Sequence, residues 1–146
     1  MPKLKNFLPD INVWLALNTR NHVHHQAALA WLEQMGSEQK AYFCRVTQMG
    51  FLRLSTQPKV MGKDVETSET AWRAYVTCLE DIRIFFMQET LPLEDAWKAL
   101  MHRPASTHTA WTDAYLAAFS YTHELEVVTF DRNFPHFDDQ NVLVLA

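Results

Sequence analysis

The chain has 146 residues, of which 48% are hydrophobic and 21% are charged. This length and composition are typical of one globular domain with one core, so we expect a single domain over residues 1–146. The net charge of −4 disfavours a protein that coats nucleic acid through nonspecific cationic charge. The two cysteines lack a CxxC spacing, and no signal peptide or membrane-length apolar run is evident, which predicts a reduced, cytoplasmic chain.

Predicted strands and helices alternate along the chain. In chain order, the first half predicts a strand over 7–9, helices over 12–18 and 24–35, a strand over 41–46, a helix over 47–56 and a loop over 58–64. The second half predicts a helix capped by Thr67 or Ser68, a strand over 81–86, a helix over 93–100, an irregular polar segment over 102–109, a helix that begins near Thr109, and strands over 125–130 and 142–145. Strands separated by crossover helices form a mostly parallel sheet with helices on both faces, the α/β class.

Three aspartates occupy positions that favour a shared site. Asp10 follows the first predicted strand, Asp131 follows the fourth, and Asp113 lies in the first turn of the helix that begins near Thr109. Since sites in parallel sheets lie outside the carboxyl ends of the strands, all three side chains can face one cleft. Carboxylates held that close repel one another unless a cation intervenes, and Mg²⁺ or Mn²⁺ prefers such oxygen ligands. An ion of this kind can activate a water and stabilise the charge that develops on a phosphodiester.

Each aspartate also has a purely structural interpretation. Asp10 can cap the helix that follows it, and Asp131 can open a turn before Asn133. Asp113 can be a first-turn acid that the helix dipole favours. The pattern alone leaves these alternatives open.

Five sequence blocks follow one another in a distinctive order and spacing, namely Leu8–Leu17, His22–His25, Val46–Leu54, Thr112–Ala118 and Val128–Asp131. Together they extend over nearly the whole chain. Their order and spacing resemble those of the PIN domain, specifically the VapC-type ribonuclease toxins of bacterial type II toxin–antitoxin pairs.

The resemblance implies a compact three-layer α/β/α sandwich, usually a homodimer, that cleaves RNA and is inhibited by a small cognate antitoxin. It implies that Asp10, Asp113 and Asp131 are catalytic and hold Mg²⁺ or Mn²⁺. It also implies hydrolysis by a metal-activated water, which leaves a 5′-phosphate on the product. We expect no membrane partner.

One position departs from the pattern of the family. Where the family usually carries a glutamate in the helix after the second strand, this chain has Gln48. Its carbonyl oxygen makes Gln48 a candidate neutral fourth ligand, although it contributes no charge. The alternative is a catalytically weak or silent PIN-like module that binds RNA or protein. A phosphotransfer domain is a third interpretation, but Asp10 lacks an acidic neighbour and Asp131 stands where a receiver would have a lysine.

Further residues are candidates for supporting roles. Asn12 and Thr129 carry short polar side chains that can orient a metal-binding carboxylate, although both are also ordinary residues for a helix start and a strand. Lys59 and Lys63 are candidate phosphate contacts, with ordinary solvated charge as the alternative. Trp111, close to Asp113, is a candidate platform for stacking an RNA base, with ordinary packing as its alternative.

Overall fold

The computed structural model describes residues 3–103 and 109–146. In these two ranges the strands are β1 (Phe7–Pro9), β2 (Ala41–Phe43), β3 (Ile84–Phe86), β4 (Glu126–Thr129) and β5 (Val142–Val144). The helices there are α1 (Ile11–Asn18), α2 (His25–Gln34), α3 (Arg45–Ser55), α4 (Pro58–Met61), α5 (Ser68–Leu79), α6 (Leu93–Met101) and α7 (Trp111–Thr122), with a 3₁₀ turn at Gly62–Asp64. None of the described helices is long and apolar enough to cross a membrane.

The strands form one sheet in the order β3-β2-β1-β4-β5, and each neighbouring pair is parallel. The predicted α/β class is therefore confirmed. Since β1 lies at the centre between β2 and β4, the residues that follow β1 and β4 emerge side by side at one edge of the sheet. This topology places Asp10 and Asp131 next to each other.

Alternating side chains of the strands divide the core into two layers, because successive strand residues point to opposite faces. Phe7 and Val128 pack with α1, α2, α3 and α5 on one face. Leu8 and Val127 pack with α6 and α7 on the other. The molecule is thus a three-layer α/β/α sandwich, as the resemblance implied.

A proline limits the pairing of the central strand. The amide of Phe7 donates to the carbonyl of Lys40 beside β2, so the amide position of Pro9, two residues later, also faces that strand. Pro9 has no N–H to donate. The register between β1 and β2 consists of Phe7 opposite Ala41, whereas β1 pairs with β4 at all three of its residues. The carboxyl end of β1 is therefore tied to β4.

The element boundaries differ from the prediction in three places. Residues 58–64 form α4 and the 3₁₀ turn instead of a loop. The strand predicted over 41–46 ends at Phe43, because α3 already begins at Arg45. The strand predicted over 81–86 begins only at Ile84, and most of the irregular segment predicted over 102–109 lies outside the described residues.

Candidate active site

Asp10 is held at the junction of β1 and α1. It directly follows β1, and its Oδ1 accepts a hydrogen bond from the Ile11 amide at 2.7 Å, so it is the N-cap of α1. Its own amide donates to the carbonyl of Val128 on β4 at 2.8 Å. The side chain is only 7% exposed. The capping interpretation of Asp10 is therefore correct, and it leaves lone pairs on both carboxylate oxygens.

The Thr129 hydroxyl connects the candidate residues of β1, α1 and β4. It donates to Oδ2 of Asp10 at 2.8 Å and accepts the amide of Asp131 at 3.1 Å. The side-chain amide of Asn12 approaches the same hydroxyl at 3.4 Å, and Oδ1 of Asn12 accepts the amide of Phe130 at 3.4 Å. Thr129 is fully buried. The hydroxyl thus fixes the orientation of one carboxylate and the backbone that carries another.

Asp131 also has the turn geometry that its structural interpretation requires. Its Oδ1 accepts the amide of Asn133 at 2.9 Å, which stabilises the turn after β4. The side chain is half-buried, and Oδ2 makes no hydrogen bond with the described part of the chain. One oxygen of Asp131 therefore serves the turn, and the other is available to a ligand.

The third aspartate reaches the same place from the opposite layer. Asp113 lies in the first turn of α7 and is half-buried. Burial is the main cause that raises the pKa of Asp10 from 3.8 to about 6; hydrogen bonds from Thr129 and Ile11 lower it, and the charges of Asp113 and Asp131 raise it. Burial, followed by the charge of Asp131, also raises the pKa of Asp113. The three carboxylates are therefore close enough to repel one another.

A hard divalent cation suits this set of donors. All the donors are carboxylate oxygens. A cation between them would stabilise the charged form of Asp10, which burial and, to a smaller extent, the charges of Asp113 and Asp131 disfavour. Within residues 3–103 and 109–146, however, no three His, Cys, Asp or Glu side chains already stand together as a metal-binding group. Asp113 and Asp131, which are more exposed than Asp10, would have to rotate to close around an ion.

Gln48 is occupied by neighbours on its own side of the sheet. It is buried in α3, where its Oε1 accepts a hydrogen bond from the Arg45 guanidinium, and the Tyr75 hydroxyl lies within hydrogen-bonding reach. Among the described residues, no hydrogen bond links Gln48 to Asp10, Asp113 or Asp131. The carbonyl oxygen predicted as a fourth ligand is thus engaged by a cationic side chain.

The candidate RNA contacts lie apart from one another. Trp111 begins α7, two residues before Asp113, and is 59% exposed. Lys59 on α4 and Lys63 in the 3₁₀ turn are exposed, and within the described ranges neither forms an ion pair. Trp111 shares the first turn of α7 with Asp113, whereas the two lysines have no hydrogen bond or ion pair with the three aspartates in the described part of the chain.

A cavity of about 400 Å³ is lined by Trp111 together with Arg45, Glu89 and Tyr115. The last three residues were not predicted from the sequence as site residues. Tyr115 donates its hydroxyl hydrogen to Glu89 at 2.5 Å. The i, i+3 spacing of Arg45 and Gln48 on one helix was the only local signal for any of these contacts. The others join segments that are distant in sequence.

Comparison with known proteins identifies the family and agrees with the fold. The PIN domain model matches residues 7–140. Ribonuclease VapC41 of Mycobacterium tuberculosis is 40% identical over 143 residues, which cover 95% of this chain and 98% of the relative. The crystal structure of VapC20 from the same organism, a sarcin–ricin loop cleaving toxin, superposes with a TM-score of 0.67 at 17% identity, covering 88% of this chain and 92% of that one. The crystal structure of VapBC2 from Rickettsia felis, bound to a DNA fragment from its promoter, superposes with a TM-score of 0.74 at 8% identity, covering 96% of this chain and 98% of that one. On the match over residues 7–140 and the identity to VapC41, this chain belongs to the PIN-domain family, among its VapC-type members.

Proposed function

We propose that this protein is the ribonuclease toxin of a toxin–antitoxin pair and hydrolyses RNA phosphodiesters with Mg²⁺ or Mn²⁺ as its cofactor. The observation that carries the proposal is the convergence of Asp10, Asp113 and Asp131 at the carboxyl edge of a parallel sheet. The name of VapC41 as a ribonuclease supports the reaction type, since that relative covers nearly the whole chain.

The side chains divide the work in a way that follows from their contacts. Asp10, Asp113 and Asp131 would hold the cation, which when bound supplies a Lewis acid that activates a water and offsets charge on the phosphodiester. Thr129 keeps one oxygen of Asp10 oriented, and Asn12 supports Thr129. Trp111, exposed beside Asp113, offers a face on which an RNA base can stack, while Lys59 and Lys63 would contact phosphates farther along the strand.

The proposed partners are RNA, a cognate antitoxin and a second copy of the chain, all in the cytoplasm. The structural similarity to VapBC2, whose name denotes a two-component toxin–antitoxin complex, supports the antitoxin. Trp72 and Val76 on α5 support the homodimer, because both are large apolar side chains that remain exposed, whereas Tyr75 on the same helix is buried.

The direct test is RNA cleavage by the full chain freed of antitoxin, in Mg²⁺ or Mn²⁺ and in EDTA. Asp10→Ala should reduce the cleavage rate at least about 100-fold, because loss of one charged group at a reacting centre has effects of this size. Asp10→Asn retains a capping side chain and separates loss of charge from loss of fold. Asp138→Ala removes an exposed aspartate and is the matched control. Equal cleavage by the unaltered chain and Asp10→Ala would refute the proposal.

A second candidate function is a catalytically weak or silent PIN-like module that binds RNA or protein. The contacts of Gln48 favour it, because this neutral side chain is held by Arg45 and brings no fourth charge to the site. The variant Gln48→Glu separates the two functions. If the unaltered chain is inactive and Gln48→Glu gains metal-dependent cleavage, the module is silent for lack of that carboxylate; robust cleavage by the unaltered chain excludes this candidate.

A further inference from the structure

A cavity of about 400 Å³ opens between the first turns of α3 and α7, α6 and the segment after β3. Trp97, Trp111 and Val46 form its apolar walls, and Arg45 and Glu89 are its charged groups. The volume lies within the range of roughly 300–1,000 Å³ that is usual for small-ligand sites. Thr112 also lines the cavity, and Asp113 follows Thr112 directly in α7. A group bound here would therefore lie against the turn of α7 that carries Asp113.

The walls of the cavity suit a flat aromatic group. The rings of Trp97 and Trp111 are perpendicular, with centroids 5.9 Å apart, and Trp97 is also perpendicular to Tyr115 at 5.3 Å. The Trp97 indole N–H donates to the carbonyl of Trp111 at 3.1 Å, which fixes the position of Trp97. Trp111 remains largely exposed, so it can present its ring face to an incoming base.

Glu89 supplies the group that can read an edge of that base. Its Oε2 accepts a hydrogen bond from the Tyr115 hydroxyl, which holds the carboxylate in place. Within residues 3–103 and 109–146, Oε1 of Glu89 has no hydrogen-bond donor. An ionised carboxylate accepts hydrogen bonds and cannot donate them. Glu89 is therefore a fixed acceptor at the cavity wall.

Arg45 supplies the opposite charge. Its guanidinium lies over the Phe86 ring at 4.7 Å and donates to Gln48, which leaves further N–H groups of this exposed side chain for a ligand. A guanidinium pairs well with phosphate. Planar aromatic walls, an acceptor pair and a cation together match a nucleotide better than an apolar peptide side chain.

From these contacts we infer that the cavity binds a guanine base of single-stranded RNA next to the phosphodiester that is cut. This inference rests on the proposed ribonuclease function. The Watson–Crick edge of guanine has two adjacent donors, N1–H and the N2 amino group, which match the two oxygens of a carboxylate. Adenine and cytosine place an acceptor beside their amino group, and uracil has a single N–H between two carbonyls, so each would bring a repelling acceptor to Glu89. Sequence-specific RNA binding commonly reads such splayed-out bases.

The first test measures, by calorimetry, the binding of guanosine, adenosine, cytidine and uridine 5′-monophosphates to the full chain in EDTA. Guanosine monophosphate should bind about 10-fold more tightly than the other three, the discrimination expected of one bidentate pair. Glu89→Gln should abolish that preference and favour adenine, because a carboxamide offers one acceptor and one donor. Glu80→Gln changes an exposed glutamate directly after α5; it is the control and should not alter nucleotide binding. Equal binding of all four nucleotides, no binding, or a preference that survives Glu89→Gln would overturn the inference.

Trp111→Ala provides a second test that depends on stacking instead of edge recognition. The substitution should lower the binding affinity for all four nucleotides by about 10-fold, while the ratio of the affinities for guanosine and adenosine monophosphate stays the same. Because these experiments need no metal and no cleavage, they are independent of the proposed activity. A chain that cleaves RNA without a guanine preference overturns this inference alone, whereas a chain that prefers guanosine monophosphate but cleaves nothing overturns the nuclease proposal alone.

Discussion

The two sides of the candidate active site are built in different ways. The strand-end site around Asp10 and Thr129 is buried, and successive hydrogen bonds hold it between β1, α1 and β4. The cavity around Trp111 and Glu89 is open, and its walls come from four segments, namely the first turn of α3, the segment after β3, α6 and α7. The first side fixes charge in one position, and the second offers an open surface with aromatic rings. This division is what a hydrolase needs if one part performs the reaction and another selects the substrate.

Thr129→Val is the substitution expected to separate the two sides most strongly. Valine keeps the shape of the side chain but removes the hydroxyl that serves Asp10, Asp131 and Asn12. Loss of such a supporting partner costs roughly 10–100-fold in metal affinity, so Mn²⁺ binding by calorimetry should weaken by about that factor. Binding of guanosine monophosphate in EDTA should stay unchanged.

Two controls accompany this variant. Thr129→Ser restores the hydroxyl and should recover most of the metal affinity. Thr122→Val removes a hydroxyl whose hydrogen-bond partners are two carbonyls of its own helix and the ring of His123, so it should leave Mn²⁺ binding intact. Unchanged metal affinity in Thr129→Val would show that the hydrogen bonds around Asp10 do not prepare the site.

Asp10 makes the stability of the metal-free protein depend on pH. Because its pKa is raised from 3.8 to about 6, the folded state disfavours the charged form. Protonation of Asp10 therefore stabilises the folded state fully below pH 3.8, and this stabilisation is lost as the pH rises through about 6. The loss amounts to roughly 3 kcal/mol, because each unit of pKa shift corresponds to about 1.36 kcal/mol. Asp10→Asn avoids this loss but forgoes one hydrogen bond worth about 1 kcal/mol.

Urea unfolding in EDTA should therefore show that Asp10→Asn is more stable than the unaltered chain by about 2 kcal/mol at pH 7.5, and that the difference disappears near pH 4. Addition of Mn²⁺ should stabilise the unaltered chain and have much less effect on Asp10→Asn. A chain whose stability at pH 7.5 is lowered by Asp10→Asn would contradict the raised pKa.

Gly50→Ala should have the smallest effect, and it tests how the helix behind the strand-end site is supported. A Cβ at Gly50 would lie 2.2 Å from Cδ1 of Ile11, the first residue of α1. The same Cβ would lie 2.8 Å from Cγ1 of Ile11, so the whole Ile11 side chain must shift. Overpacking of this kind costs about 1–3 kcal/mol, and the better helix propensity of alanine offsets part of that cost, so we expect a net loss of about 1 kcal/mol.

Thermal unfolding should show this loss, and Ile11→Ala in the same chain should relieve the clash. Gly36→Ala is the matched control, since its Cβ would lie 3.7 Å from Oε1 of Gln39, an ordinary contact. Equal stability of the two glycine variants would mean that α1 and α3 are not closely packed at this point.

The same difference between the two sides explains what could be predicted from the sequence. Asp10 directly follows β1, and Asp131 lies two residues after the end of β4, so a parallel sheet is sufficient to bring them together. Asn12 and Thr129 were predictable as short polar side chains beside them. The helix at Pro58 was missed although proline is well suited to the first turn of a helix.

The cavity could not be predicted from the sequence, because its chemistry depends on pairs of residues that are far apart in the chain. Glu89 and Tyr115 are separated by 26 residues, and neither has a local pattern that indicates the other. The hydrogen bond from Arg45 also gives a partner to the carbonyl oxygen of Gln48, whose role as a fourth ligand stays a prediction. Side-chain partners of this kind are decided by packing between helices, which periodicity does not specify.

If Asp10, Asp113 and Asp131 together hold one hard divalent cation, calorimetry on the antitoxin-free chain should show saturable Mn²⁺ binding in the millimolar range or tighter. Each of the substitutions Asp10→Asn, Asp113→Asn and Asp131→Asn should weaken this binding at least about 10-fold, whereas Asp138→Asn should leave it unchanged. Absence of saturable binding, or binding that survives all three substitutions, would contradict this shared cation site.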